Sequence, residues 1–165
     1  MLLPDDVEEQ MIFSEMQLQA NPPGLAPLTR EQIWEGLEQK AVDAVPYVEA
    51  ITACRVIARL SDTVFDREAY LGGARYVERV WLEAPDRIVF ARLDGPVLGT
   101  ITNEILEEDG ELTVRFQFAL VIRPGDALPV TEQELSTQMV SAYQAAVETT
   151  LAAVRARLTT TGAAP

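Results

Sequence analysis

Apolar residues recur every three or four positions over the last long segment of the chain, from Thr131 to about Thr159. The stripe consists of Leu135, Met139, Tyr143, Val147, Leu151, Val154 and Leu158. This spacing predicts an amphipathic α-helix of about 29 residues, roughly 43 Å long. Thr131 and Glu134 are placed to form a capping box at its start, and Val130 and Leu135 a hydrophobic staple. Such a helix must lie across another layer to bury its stripe.

Alternating apolar and polar residues predict β-strands through the middle of the chain. The predicted strands span residues 11–20, 54–60, 64–71, 75–83, 87–93, 97–107 and 112–123. Gly72-Gly73, Asp94-Gly95 and Asp109-Gly110 separate consecutive strands and are typical of tight hairpin turns. The order is one strand, a helical segment, about six strands joined as antiparallel hairpins, and the long helix. This order indicates an α+β fold in which a curved sheet grips the last helix and leaves a hollow beneath it.

Two short helices are expected between the first two strands. The run Thr29-Arg30-Glu31-Gln32 is a capping box, and Leu28 and Ile33 can form a staple around it. The apolar face of this helix comprises Ile33, Trp34, Leu37 and Ala41. Pro46 ends the pattern, and we expect the second short helix over residues 45–53.

Counting residues across each turn predicts which side chains share a face. The Gly72-Gly73 turn pairs Arg67 with Glu78, the Asp109-Gly110 turn pairs Asn103 with Phe116, and the Asp94-Gly95 turn pairs Ile88 with Ile101 and Phe90 with Gly99. The first strand is expected to turn Ile12, Ser14, Met16 and Leu18 to one face. Seven side chains of the last three strands are expected to face the helix: Ile88, Phe90, Ile101, Asn103, Ile105, Phe116 and Phe118.

The predicted pair of Arg67 and Glu78 is the first candidate for chemistry. If Phe65 and Val80 face inward, both charged side chains face inward too, and buried charges need a partner. The pair would then orient a polar group of a ligand. Two alternatives stay open: a salt bridge at the end of the sheet, and the opposite face assignment, which would expose both residues.

Three further kinds of residue are candidates to line the hollow. Asn103 interrupts an apolar row and needs a hydrogen-bond partner, which is either a ligand or a neighbour in the core. Tyr143 lies on the stripe of the long helix, where its hydroxyl either reaches the hollow or packs in the core. Phe116, Phe118 and Met139 are predicted apolar contacts of a ligand, and ordinary core packing is their alternative role.

Composition excludes several classes of protein. The chain has 165 residues and a net charge of −13, which argues against binding to nucleic acid or to anionic membrane surfaces. Cys54 stands alone, so no disulfide within the chain is possible, and its neighbours suggest a buried thiol. No segment is long and apolar enough to span a bilayer, and the acidic start does not resemble a secretory signal. A cytoplasmic protein is expected.

The absence of histidine excludes many catalytic sites. A Ser-His-Asp or Cys-His nucleophile cannot form, and the usual zinc and non-haem iron sites lose their main ligand. Lys40 is the only lysine and lies near the end of an early helix, so lysine Schiff-base chemistry is not expected. No metal or cofactor is predicted.

Several sequence runs resemble the AtaL-like branch of the SRPBCC superfamily, the START/Bet v 1-type helix-grip proteins. The runs are Asn21-Pro22-Pro23, residues 28–37, Val77-Glu78-Arg79-Val80, Pro85, residues 99–104 and the terminal helix, and the resemblance covers about residues 11–158. It implies a seven-stranded antiparallel sheet wrapped around the carboxy-terminal helix, with an elongated apolar cavity. The superfamily includes lipid and hormone binders, polyketide cyclases and aromatases, and oxygenase domains. We carry over no catalytic residue from it.

The sequence leaves three hypotheses about function. The first is a non-catalytic protein that binds a hydrophobic or amphipathic small molecule. The second is a polyketide cyclase or dehydratase in which Glu78, tuned by Arg67, acts as the base. The third is a protein that dimerises through the outer face of the sheet, near Trp81 and Val121. In domain terms we expect a flexible acidic segment over residues 1–9, one domain over 10–160, and a tail over 161–165.

Overall fold

A computed structural model describes residues 11–123 and 132–162 of the chain. Within these ranges the fold has seven strands and two helices. They are β1 (Met11–Gln19), α1 (Arg30–Val42), β2 (Ile51–Arg59), β3 (Val64–Leu71), β4 (Ala74–Glu83), β5 (Arg87–Asp94), β6 (Val97–Glu108), β7 (Glu111–Ile122) and α2 (Glu132–Gly162). All neighbouring strands are antiparallel, in the order β1-β7-β6-β5-β4-β3-β2. The predicted α+β helix-grip fold is confirmed.

Two of the three predicted hairpin registers are confirmed. Arg67 pairs with Glu78, and Asn103 pairs with Phe116. The β5–β6 register is wrong by two residues, because Ile88 pairs with Asn103 and Phe90 with Ile101. The loop consists of Gly95 and Pro96 rather than Asp94 and Gly95. A shift of two residues preserves the faces, and the seven side chains predicted to face the helix are all buried.

The predicted second short helix is absent. Tyr47 and Val48 both donate a backbone hydrogen bond to the Ala44 carbonyl, which closes a single turn. The chain then enters β2 at Ile51, three residues before the predicted start. Pro46 and the β-branched residues of this segment favour the extended conformation over a helix. Cys54, which we expected to be buried, is half-buried in this strand.

Helix α2 is buried unevenly along its length. Its carboxy-terminal half packs tightly through Val147, Leu151 and Val154, whereas Met139 and Tyr143 in its first half are only partly buried. Leu158, predicted to lie on the apolar stripe, is exposed. The predicted cap at Thr131 and the staple residue Val130 lie outside the described residues, as do residues 1–9. No helix in the described ranges is long and apolar enough to cross a membrane.

Close contact between the two helices depends on Gly36. A Cβ atom at this position would lie 2.5 Å from Cγ2 of Val154 and 3.2 Å from Cγ2 of Thr150. Gly36→Ala should lower the free energy of unfolding by about 1 kcal/mol, because overpacking outweighs the gain in helix propensity.

Urea unfolding of Gly36→Ala, alone and combined with Val154→Ala, tests this contact. In the Val154→Ala background, where the clashing methyl group is gone, Gly36→Ala should leave the free energy of unfolding unchanged or raise it. A loss of the same size in both backgrounds would contradict the proposed contact.

Candidate functional site

A cavity lies between the concave face of the sheet and the first half of α2. Its volume is about 90 Å³. The walls combine apolar residues with four charged side chains, Lys40, Arg67, Glu78 and Arg92. Val48, Ala50 and Ala142 line both this cavity and a groove on the outer surface. The mouth of the cavity therefore lies between α2 and the turn that precedes β2.

The predicted inward orientation of Arg67 and Glu78 is confirmed. Nε and Nη2 of Arg67 each lie 2.9 Å from Oε1 of Glu78, and both side chains are almost completely buried. Arg67 also donates through Nη1 to the carbonyl oxygens of Ala41, at 2.8 Å, and Lys40, at 3.3 Å. These carbonyls belong to the last turn of α1, where unpaired acceptors and the helix dipole favour a cation. Arg67 thus ties the sheet to the end of α1.

Arg92 is a second arginine in the site, and the sequence analysis missed it. Its Nε donates to Oε2 of Glu78 at 3.2 Å, so each carboxylate oxygen of Glu78 has its own arginine. The Arg92 guanidinium also stacks over the ring of Tyr76, 4.3 Å from the centroid. The alternation of the strand could have predicted its inward position, because Arg92 continues the row of Ile88 and Phe90 with a period of two.

The two arginines make Glu78 a weak base. Burial by itself would raise the pKa of this carboxyl group, but the charges and hydrogen bonds of Arg67 and Arg92 outweigh burial and hold the pKa below its usual value. Glu78 is therefore a carboxylate that anchors two cations. This geometry argues against the role of proton acceptor that we considered from the sequence.

Lys40 lines the same cavity, although its position near the end of α1 had led us not to expect lysine chemistry. Its Nζ donates to Oδ1 of Asn103 at 3.0 Å, and the side chain is buried. Burial, and then the charge of Arg67, lowers the pKa of Lys40 from 10.5 to about 7, although Glu78 opposes the shift. The signal lay in the helical spacing, because Lys40 follows Ile33 and Leu37 on the buried face of α1.

Asn103 lies at the bottom of the cavity with one group left unpaired. The residue is completely buried and lines the cavity. The lysine donor fixes the amide orientation, since only the carbonyl oxygen can accept its hydrogen bond. The Nδ2 group then has no hydrogen-bond partner among the described residues. An unpaired buried donor is costly, so this amide is a suitable contact for an acceptor atom of a ligand.

The predicted aromatic residues form one wall beside the charged cluster. Tyr143 contacts Phe116 and Phe118, with ring centroids 6.1 Å and 5.7 Å apart. Burial raises the pKa of Tyr143 to about 12, with the nearby Arg92 opposing the rise, so its hydroxyl is protonated at neutral pH. Met139 and Tyr143 line the cavity itself, whereas Phe116 and Phe118 pack behind Tyr143. Whether these residues bind a ligand stays a prediction.

The outer face of the sheet carries polar pairs and an open depression lined by residues such as Glu15, Thr102 and Gln117. Arg79 forms a two-pronged ion pair with Asp66, and Trp81 and Val121 are only half-buried. Within residues 11–123 and 132–162, no group of three or more His, Cys, Asp or Glu side chains could hold a metal ion.

Comparison with solved structures identifies the fold. The chain is similar to the Zhui aromatase/cyclase from Streptomyces sp. R1128, with a TM-score of 0.63 and 14% identity over 90% of this chain and 96% of that one. A START superfamily protein from Mycobacterium smegmatis gives a TM-score of 0.60 and 14% identity over 87% and 96%. The fold is therefore that of the START/Bet v 1-like superfamily, as the sequence runs suggested.

A di-domain structure is similar as well. The ARO/CYC protein StfQ from the steffimycin biosynthetic pathway gives a TM-score of 0.69 and 10% identity over 93% of this chain. The chain spans about half of StfQ, 53% of its length.

A family model narrows the class further. The model for AtaL, described as acetylaranotin biosynthesis cluster protein L, matches residues 15–161. The chain belongs to the AtaL family. A search among curated proteins found no match.

Proposed function

We propose that this protein binds a hydrophobic or amphipathic small molecule in the cavity between the sheet and α2. The observation that carries the proposal is the charge of the lining. Two arginines, Arg67 and Arg92, face one carboxylate, Glu78, beside the amine of Lys40. The cavity therefore has a positive excess, whereas the whole chain carries a net charge of −13.

The available donors support a ligand with an acceptor or acidic oxygen. Arg67 already donates to Glu78 and to α1, so it is committed to the protein. Arg92 donates only through Nε in the described part of the chain, and Nδ2 of Asn103 is unpaired. A carboxylate, phenolate or enolate oxygen would stabilise these groups. The aromatic wall at Tyr143 would contact the apolar part of the same molecule.

The size of the cavity implies movement on binding. Its volume of about 90 Å³ is well below the roughly 300–1,000 Å³ of pockets for drug-sized ligands. The first half of α2 is the loosely packed side of the cavity, since Met139 and Tyr143 are only partly buried. We expect this half of the helix to shift outward around a larger ligand while the tightly packed second half stays in place.

The relatives support a ligand of biosynthetic origin. The family description names a biosynthesis cluster, and similar structures are called aromatase/cyclases. A polyketide-like or aromatic molecule would match both the aromatic wall and the basic cluster.

Two other functions remain as candidates. A cyclase or dehydratase activity is favoured by Lys40, whose lowered pKa of about 7 suits proton transfer, rather than by Glu78. Dimerisation through the outer sheet face, where Trp81 is half-buried, stays a prediction. A concentration-dependent sedimentation coefficient would be expected for a dimer.

Closing the mouth of the cavity should weaken binding. Ala142 is exposed and lies at the mouth, so tryptophan there is tolerated by the fold but fills the entrance. Titration calorimetry with 2-naphthoate, an aromatic carboxylate, should show affinity reduced about tenfold or more, a loss of about 1.4 kcal/mol.

The matched control is Ala152→Trp. Ala152 is an exposed alanine of the same helix that does not line the cavity. Its affinity for 2-naphthoate should stay within about twofold of wild type. Equal affinities for wild type, Ala142→Trp and Ala152→Trp would place the probe elsewhere and contradict the proposed site.

A further inference from the structure

Lys40 is the only lysine of the chain, and its surroundings do not suit an ammonium ion. An ammonium group has three hydrogen-bond donors. In the described part of the chain, Nζ has one acceptor, Oδ1 of Asn103. The rings of Phe90 and Phe116 lie 5.7 Å and 6.0 Å away, at the outer limit of a cation–π contact.

The charged groups around the cavity also disfavour an ammonium ion, although Glu78 partly offsets this effect. Arg67 lies on β3 and Arg92 on β5, and the one anion, Glu78 on β4, is shared between them. Tyr76 on β4 and Tyr143 on α2 are neutral at physiological pH, because burial raises the pKa of both hydroxyls. A neutral amine therefore fits this site better than a cation, which agrees with the lowered pKa of Lys40, about 7.

We propose that Lys40 is a nucleophile that condenses with a ketone or aldehyde carbonyl of the bound ligand to form an imine. The lone pair of Nζ attacks the carbonyl carbon and forms a C–N bond. Two protons move from the nitrogen to the carbonyl oxygen, the C–O bond breaks, and the oxygen leaves as water. No oxidant or reductant is needed. The inference rests on the proposed function, since the carbonyl compound must enter the same cavity.

Neighbouring groups suit this step. The unpaired Nδ2 of Asn103 is a donor for the carbonyl oxygen, and the same residue holds Nζ through Oδ1. Arg92 offers positive charge for a second oxygen. A 1,3-dicarbonyl compound, which presents a reactive carbonyl and an acidic enol, matches this set of groups.

Reaction with pentane-2,4-dione tests the inference. This small diketone forms a stable conjugated enaminone with an unprotonated amine. The product absorbs in the near ultraviolet, and the protein becomes heavier by the diketone less one water. Lys40 and the amino terminus are the only amines of the chain that can form this product with the loss of one water. Peptide mapping should place the label on Lys40, and the rate should rise with pH with a midpoint near that amine's pKa of about 7.

Arg55→Lys supplies an internal control. The Arg55 side chain is 73% exposed, so the introduced lysine is an ordinary surface amine. At pH 7 about half of the Lys40 amines would be neutral, against roughly one in three thousand for the introduced lysine. In this protein with two lysines, we expect Lys40 to be labelled at least about tenfold faster than the lysine at position 55. Lys40→Met should lose the label.

Two results would overturn the inference. One is labelling of Lys40 no faster than of the lysine at position 55, and the other is no labelling of Lys40 at all. The 2-naphthoate titration separates this failure from failure of the proposed function. If wild type binds 2-naphthoate and Ala142→Trp weakens that binding, but Lys40 does not react, then the proposed role of Lys40 is wrong and the proposed binding site stands. If neither occurs, the cavity does not bind ligands of this kind.

Discussion

Replacing Glu78 by glutamine should lower the free energy of unfolding by about 3–5 kcal/mol, because it leaves buried cations without their counter-charge. Arg67 and Arg92 each donate to one carboxylate oxygen, and all three side chains are almost completely buried. A neutral amide would also turn its NH₂ group toward one of the arginines. Urea unfolding followed by the fluorescence of Trp34 and Trp81 measures the loss.

Glu83→Gln is the matched control for this substitution. Glu83 pairs with Arg87 at the surface, where both side chains are nearly half exposed, so the change should stay within about 0.5 kcal/mol. Because the folded pKa of Glu78 is lowered, its contribution is complete above the ordinary glutamate pKa and is lost as the pH falls through the lowered value. A loss at Glu78 no larger than that at Glu83 would show that the buried cluster is not formed.

Raising the pH from about 6 to about 8.5 should increase the free energy of unfolding by about 2 kcal/mol through Lys40 alone. The folded pKa of this amine is about 7, and the unfolded chain keeps the ordinary value of 10.5. Between these values the unfolded chain binds more protons, so stability rises with pH. Below about 7 both forms are protonated, and the dependence disappears.

The composition of the chain suits this measurement. It has no histidine, so few groups titrate between pH 6 and 8. Lys40→Met keeps an apolar chain of similar length and removes the titrating amine. The difference in slope between wild type and variant isolates Lys40, because every other titrating group is common to both. Equal slopes would mean that the buried amine keeps its ordinary pKa.

The faces of the sheet could be predicted because side-chain alternation and turn counting are local. The Gly72-Gly73 turn fixed Arg67 opposite Glu78, and the structure agrees. The β5–β6 loop shows the limit of counting. Asp94-Gly95 resembles a two-residue turn, but the hairpin closes around Gly95 and Pro96. Despite this error, every residue predicted to face the helix does so, because a register shift of two residues keeps each side chain on the same face of the sheet.

The residues that the sequence analysis missed are basic side chains on apolar faces. Lys40 was set aside for its position near the end of an early helix, and Arg92 was not singled out. Such residues are rarely buried unless they are paired. Asn103, the partner of Lys40, lies on a strand distant in sequence, and Glu78, the partner of Arg92, lies across the β4–β5 hairpin, whose register was not predicted. The volume of the cavity could not be predicted from the sequence either, because it depends on the distance between the first half of α2 and the sheet.

An amide NMR titration of the whole protein with 2-naphthoate tests the central claim most directly. If a small molecule binds between the sheet and α2, the side-chain amide of Asn103 and the backbone amides of Tyr76, Arg92 and Ala142 should shift together along one saturating curve. Shifts confined to the outer face of the sheet, or no shifts at a saturating concentration of probe, would contradict a ligand site in this cavity.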